Sequence, residues 1–187
     1  MFIFFALGMV TCCGYNLRGQ QRSFFESKQI RTLYVAPVKN DSFKAGIEIT
    51  VYNALRKKFA QWGYVKIVDS TEQSDAQLLA TVISATVDPA GITLANQLAG
   101  GVVTPNNVEI ASSYNATLKV KIELRGKGGA TFWSNIMSAS QGYQAATYTG
   151  SLGATSALIN ESQFDDALVK MASSIVFDAE ESMNTGF

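Results

Sequence analysis

The strongest constraint on this chain is a strict alternation between Ala116 and Lys127. Leu118, Val120, Ile122 and Leu124 are apolar, and Lys119, Lys121, Glu123 and Arg125 between them are charged. Successive side chains of a strand point to opposite faces, so this stretch reads as an antiparallel strand with one buried and one solvated face. Gly126-Lys127-Gly128-Gly129 supplies a turn, and Thr131 to about Tyr143 returns as its hairpin partner.

Two helical stripes provide what the apolar face would pack against. Ile47, Val51, Leu55, Phe59 and Trp62 recur at three- and four-residue spacing, which predicts an amphipathic helix from about Gly46 to Trp62. Gly63 follows as a C-terminal cap, and Arg56, Lys57 and Lys58 suit the negative end of the helix dipole. Phe164, Leu168, Met171, Ala172, Ile175 and Ala179 line a second helix, opened by Ser162-x-x-Asp165 as a capping box and running to about Met183. Further strands are expected at Ile30–Ala36, Tyr64–Val68 and Ala76–Val87, the last ended by Asp88-Pro89. The order is β-α-β-β-β-β-α. It predicts an α+β, two-layer sandwich with two amphipathic helices on one face of a largely antiparallel sheet.

Composition excludes several functions. The 187 residues contain no histidine, which removes Ser-His-Asp and Cys-His catalysis and histidine-ligated zinc. Neither a phosphate-cradling glycine loop nor a dinucleotide fingerprint is present. Fifteen Lys plus Arg balance fifteen Asp plus Glu, so no net field recruits nucleic acid. The expectation is a protein that is not an enzyme and needs no cofactor or metal.

The first residues point to an envelope address. The uncharged run Phe2–Val10 is too short to span a bilayer, which takes roughly 20 apolar residues. It fits the core of a secretory signal. Cys13 follows it, and a thiol at a new N-terminus can take a diacylglyceryl group as a thioether before the signal is cleaved. Residues 1–12 are therefore read as a lipoprotein signal segment, with a start upstream of Met1 accounting for the missing basic residue. Cys12 stands where a smaller residue is usual. The alternative is a buried strand or a frayed apolar terminus. With Cys13 lipidated, its acyl chains anchor the protein firmly, at about 0.8 kcal/mol per buried methylene. Gly14 in place of an inner-membrane-retaining Asp favours the periplasmic face of the outer membrane. Residues 13–29 form an anchored linker, and 30–187 a single domain. Phe24 and Phe25 in that linker either lie at the membrane surface or cover the edge of the core.

Cys13-Gly14-Tyr15-x-Leu17-Arg18-Gly19 resembles the opening of the lipopolysaccharide-assembly lipoproteins, the LptE family. Leu33-Tyr34-Val35-Ala36-Pro37-Val38-Lys39-Asn40 is similar to a strand-plus-turn run in that family, as are the strand beginning Ala76-Gln77-Leu78-Leu79 and the terminal helix. The resemblance covers essentially the whole chain after the signal. It implies a non-enzymatic outer-membrane lipoprotein that plugs and helps assemble a large β-barrel of the LptD type. Together the two insert lipopolysaccharide into the outer leaflet.

Charge distribution suits a plug. No charged residue lies between Asp88 and Glu109, nor between Lys127 and Glu161. The segments 88–113 and 144–160 are expected as two loops at one end of the sheet, either buried against a partner or free in solvent. Lys119, Lys121, Arg125 and Lys127 form a basic row that matches lipopolysaccharide phosphates, or simply a solvated sheet face with Glu123 interleaved. A second class of function stays open: a free-standing periplasmic scaffold of an envelope or secretion complex acting through homo-oligomers.

Overall fold

Residues 23–94, 109–146 and 153–185 are described by the structure, a computed structural model. In chain order the elements are α1 (Phe24–Ser27), β1 (Thr32–Val35), β2 (Lys39–Asn40), α2 (Ile47–Trp62), β3 (Lys66–Val68), β4 (Ala76–Leu94), β5 (Glu109–Gly126), β6 (Thr131–Gln144) and α3 (Gly153–Thr185). The six strands make one open sheet in the order β3-β1-β4-β5-β6, with β2 pairing β4 beyond the end of β1. The long ladders β4–β5 and β5–β6 are antiparallel. The short strands β1, β2 and β3 join in parallel, because α2 carries the chain back over the sheet between β2 and β3.

The two-layer α+β sandwich follows from which side chains must leave water. Leu118, Val120, Ile122 and Leu124 are fully buried, and across the β4–β5 ladder they meet Ala85, Val82, Ala80 and Leu78. Both helices cover this face. Ile47, Val51, Leu55 and Phe59 of α2 are buried, as are all six stripe residues expected on α3. Full burial of each large aliphatic side chain contributes roughly 1.5–3 kcal/mol. Gly63 ends α2 in the left-handed region at φ 76°, where a Cβ would be strained. Phe25 is wholly buried, its ring 5.1 Å from Trp62 and 6.1 Å from Phe59, so it closes the edge of the core and does not face a membrane.

Several boundaries differ from expectation. Asp88-Pro89 does not end the strand expected at Ala76–Val87: β4 runs on to Leu94 and β5 begins at Glu109, which corrects the loop expected over 88–113. Proline is tolerated there because, among the described residues, β4 has no partner on its other side beyond Val82, and register shifts follow Pro89. Ser162-x-x-Asp165 is not a capping box. The helix already begins at Gly153, since nothing in Ala154–Glu161 breaks a helix, and the segment expected as loop over 144–160 is helical over its second half. Tyr64 and Val65 lie before β3, not within it. The signal segment 1–12, Cys13, most of the linker and the uncharged stretch 95–108 lie outside the described residues.

Candidate functional site

The face of the sheet turned away from the helices carries the charged half of the alternation. On β5 it presents Thr117, Lys119, Lys121, Glu123 and Arg125. Across the ladders, Glu123 pairs with Leu79 and Ser134, Lys121 with Thr81 and Ile136, and Lys119 with Ser84 and Ser138. The row is less basic than its sequence. Glu123 sits between two cations, 2.8 Å from Lys121 Nζ and 2.8 Å from Arg125 Nη2. These contacts, first the hydrogen bond from Lys121, hold the Glu123 carboxyl below the usual glutamate range. Lys119 is exposed and has no ion-pair or hydrogen-bond partner among the described residues. Lys127 has left the row. It lies in the turn after β5, and its Nζ donates to the Glu72 carbonyl at 3.2 Å. Of the four expected residues, three share the open face and one anchors a turn.

A second region was legible only as a lack of charge. β4 and β5 outrun β6, whose last residue, Gln144, pairs with Ser113. Among the described residues the pair therefore continues as a two-stranded arm from Ile92 to Leu94 and Glu109 to Ala111. The start of α3 reaches the same end of the sheet, where Asn160 Oδ1 accepts the Ala146 N–H at 2.7 Å. Large apolar side chains stand in water here. Ile92 is 64% exposed and Leu158 72%, with Val87 and Ile159 also exposed. They stand beside the charged residues Asp88, Glu109 and Glu161.

Among the described residues there is no group of His, Cys, Asp or Glu able to hold a metal, and no helix long and apolar enough to cross a membrane. Asp165, which could be read as an isolated acid, is 2.7 Å from Lys44 Nζ, and Glu161 contacts the same amine. That cluster clamps the entry of α2 to α3.

Among solved structures, the chain is similar to a hypothetical protein of Chlamydia trachomatis at 10% identity and a TM-score of 0.49, covering 83% of this chain and 98% of that one. It is similar to rare lipoprotein B from Shewanella oneidensis at 11% identity and a TM-score of 0.45, over 83% and 98%. A lipoprotein of Caulobacter crescentus matches at 14% identity and a TM-score of 0.44, over 80% and 89%. At such scores these likenesses say nothing of what the chain does. No curated protein matches it. The sequence model of the LptE family, described as lipopolysaccharide-assembly, matches residues 30–178, a span holding both helical stripes except Ala179, all six strands and the charged face. The chain belongs to the LptE lipopolysaccharide-assembly family.

Proposed function

We propose that this protein is an outer-membrane lipoprotein, lipid-anchored through Cys13, that plugs and helps assemble a lipopolysaccharide-translocating β-barrel of the LptD type. Membership of a non-enzymatic lipopolysaccharide-assembly family supports this reading. The observation that carries it is the exposure of Ile92 and Leu158 at the end of the molecule where the β4–β5 arm and the start of α3 lie. Entry of these apolar side chains into a partner takes them out of water.

The open face has the second role. Lys119, Lys121 and Arg125 meet lipid A phosphates, Lys119 being free to do so and the other two exchanging Glu123 for phosphate. Lys127 contributes through the turn and is the weakest of the four.

The test is cross-linking of the lipidated protein in its native envelope, followed by mild solubilisation and identification of what travels with it. One large β-barrel protein in equal amount is the expected result. An outer-membrane fraction from which no barrel protein is recovered overturns the reading.

A further inference from the structure

A cavity of about 660 Å³ opens where the chain enters the domain, lined by Glu26, Gln29, Ile30, Arg31 and Tyr64. The end of α1 and the link to β1 supply four of these residues, and Tyr64 comes from the link between α2 and β3. The Tyr64 ring is held edge-on to Trp62 at 5.4 Å, and Trp62 in turn meets Phe25 and Phe59. That packing fixes the ring although half of it stands in water.

The polar groups around the cavity lack partners. Neither the Arg31 guanidinium, the Gln29 amide nor the Tyr64 hydroxyl takes part in a hydrogen bond or ion pair among the described residues. Glu26 uses one carboxylate oxygen, which accepts the Ser23 N–H at 3.2 Å, and leaves the other free. Glu26 and Arg31 do not pair with each other, although both line the cavity. Lys28, Lys66, Lys127, Asp69, Glu72 and Asp75, the other charges of the neighbouring loops, lie outside the lining.

The backbone adds a second observation. Gln29 sits at φ 58°, and among the described residues no other non-glycine residue enters the left-handed region. A side chain there costs free energy that glycine would avoid. Since the Gln29 amide bonds to nothing in the chain, nothing in the fold calls for a side chain at this position.

An unpaired cation and an unpaired anion in one cavity match a ligand that carries both charges. Arg31, Gln29 and Tyr64 offer N–H and O–H donors to the oxygens of a phosphate, and the free Glu26 oxygen accepts from an ammonium. Cys13 lies ten residues before Ser23, a reach of at most about 35 Å, so an anchored chain keeps this cavity close to its bilayer. We infer that the cavity binds a phosphoethanolamine group, phosphate at Arg31 and ammonium at Glu26, as the head group of a phospholipid in the anchoring bilayer. The lipid source rests on the anchoring of Cys13; the chemistry of the cavity does not.

The experiment has two arms. In the first, soluble glycerophosphoethanolamine is titrated into the full chain in detergent, followed through the amide chemical shifts of Gln29 and Arg31. Saturable binding is expected, weakened about tenfold by Arg31→Gln and by Glu26→Gln, each of which removes one charge-assisted contact. Glutamine still completes the capping box of α1, so Glu26→Gln leaves that turn in place. Gln29→Gly lowers affinity about threefold without lowering the unfolding midpoint, which separates a binding role from a structural one. Glycerophosphocholine, whose quaternary nitrogen has no N–H, binds about tenfold more weakly. In the second arm the chain acylated at Cys13 is placed in vesicles of phosphatidylglycerol with either phosphatidylethanolamine or phosphatidylcholine. Phenylglyoxal modifies Arg31 about fivefold more slowly in the ethanolamine vesicles, read by mass spectrometry.

Absence of binding in the first arm overturns the inference, as does equal affinity for the choline compound or indifference to both charge removals. Binding there with equal modification of Arg31 in the two vesicles overturns the lipid source alone and assigns the cavity to a soluble phosphoethanolamine compound.

Discussion

Thr32 and Asp75 hold each other through both side chains and both backbones. Asp75 Oδ2 accepts from the Thr32 N–H and the Thr32 hydroxyl, each at 2.9 Å, and from the Arg31 N–H at 2.9 Å. In return the Asp75 N–H is shared between Thr32 Oγ1 at 2.9 Å and the Thr32 carbonyl at 3.1 Å. The pair stands where β1 and β4 start side by side, one residue before Leu33 meets Ala76. A four-residue strand has few ladder bonds, so this carboxylate fixes its register.

Asp75→Ala is therefore expected to destabilise the protein by about 1 kcal/mol, a modest figure because the group is exposed. The backbone hydrogen bonds from Arg31 and Thr32 hold the Asp75 carboxyl below its ordinary 3.8. A lowered folded pKa means the contribution is complete above the unfolded value and is lost as pH falls through the folded one. Urea denaturation of wild type and variant should show the gap at pH 7 and a shrinking gap below pH 3.8. A gap constant down to pH 2 would remove the role assigned to the charge.

Lys44 ties the loop before α2 to Glu161 and Asp165 on α3. Burial works against its charge, but the hydrogen bonds to Asp165 and Glu161 outweigh it and raise the amine above 10.5. The stabilisation is thus present below that value and disappears as pH rises through the folded pKa. Lys44→Met should cost about 1 kcal/mol and speed amide exchange chiefly around Glu161, the part of α3 that the clamp secures. Exchange unchanged there would show that the helix start holds without Lys44.

Glu123 competes with any anion for Lys121 and Arg125. Glu123→Gln should raise lipopolysaccharide affinity about threefold, the scale of freeing two half-exposed ion pairs. Lys119→Gln should lower it by a similar factor, and adding Lys121→Gln should lower it further. Titration calorimetry with purified lipopolysaccharide measures all three. Affinities equal across the set would return this face to solvent.

Phe25 joins α1 to the α2 end of the core through edge-on contacts with Phe24, Phe59 and Trp62. Phe25→Ala should cost about 3–5 kcal/mol in thermal or chemical unfolding, the range for emptying a buried aromatic site. A loss below about 1 kcal/mol would mean that α1 is only loosely docked.

Local sequence determined every element whose side chains repeat with a clear period. The alternation from Leu118 to Leu124, the stripe from Ile47 to Phe59 and that from Phe164 to Ala179 each name a buried face, because burial follows the geometry of strand and helix directly. The family was legible in the run around Pro37, which lies within the matched span of 30–178. The absence of histidine excludes the chemistry that needs an imidazole. Only the tertiary structure decided the rest. The parallel placement of β1 and β3 and the two-residue β2 depend on partners far along the chain. So does the continuation of β4 through Pro89, which an edge without a neighbour among the described residues permits. Most of all, adjacency in space decided the charges. Glu123 quenches two of the expected cations, a backbone carbonyl takes Lys127, and Lys119 alone stays free. Periodicity says which face a residue occupies, but a charge acts over a few ångströms, and which charges come that close is set by the fold.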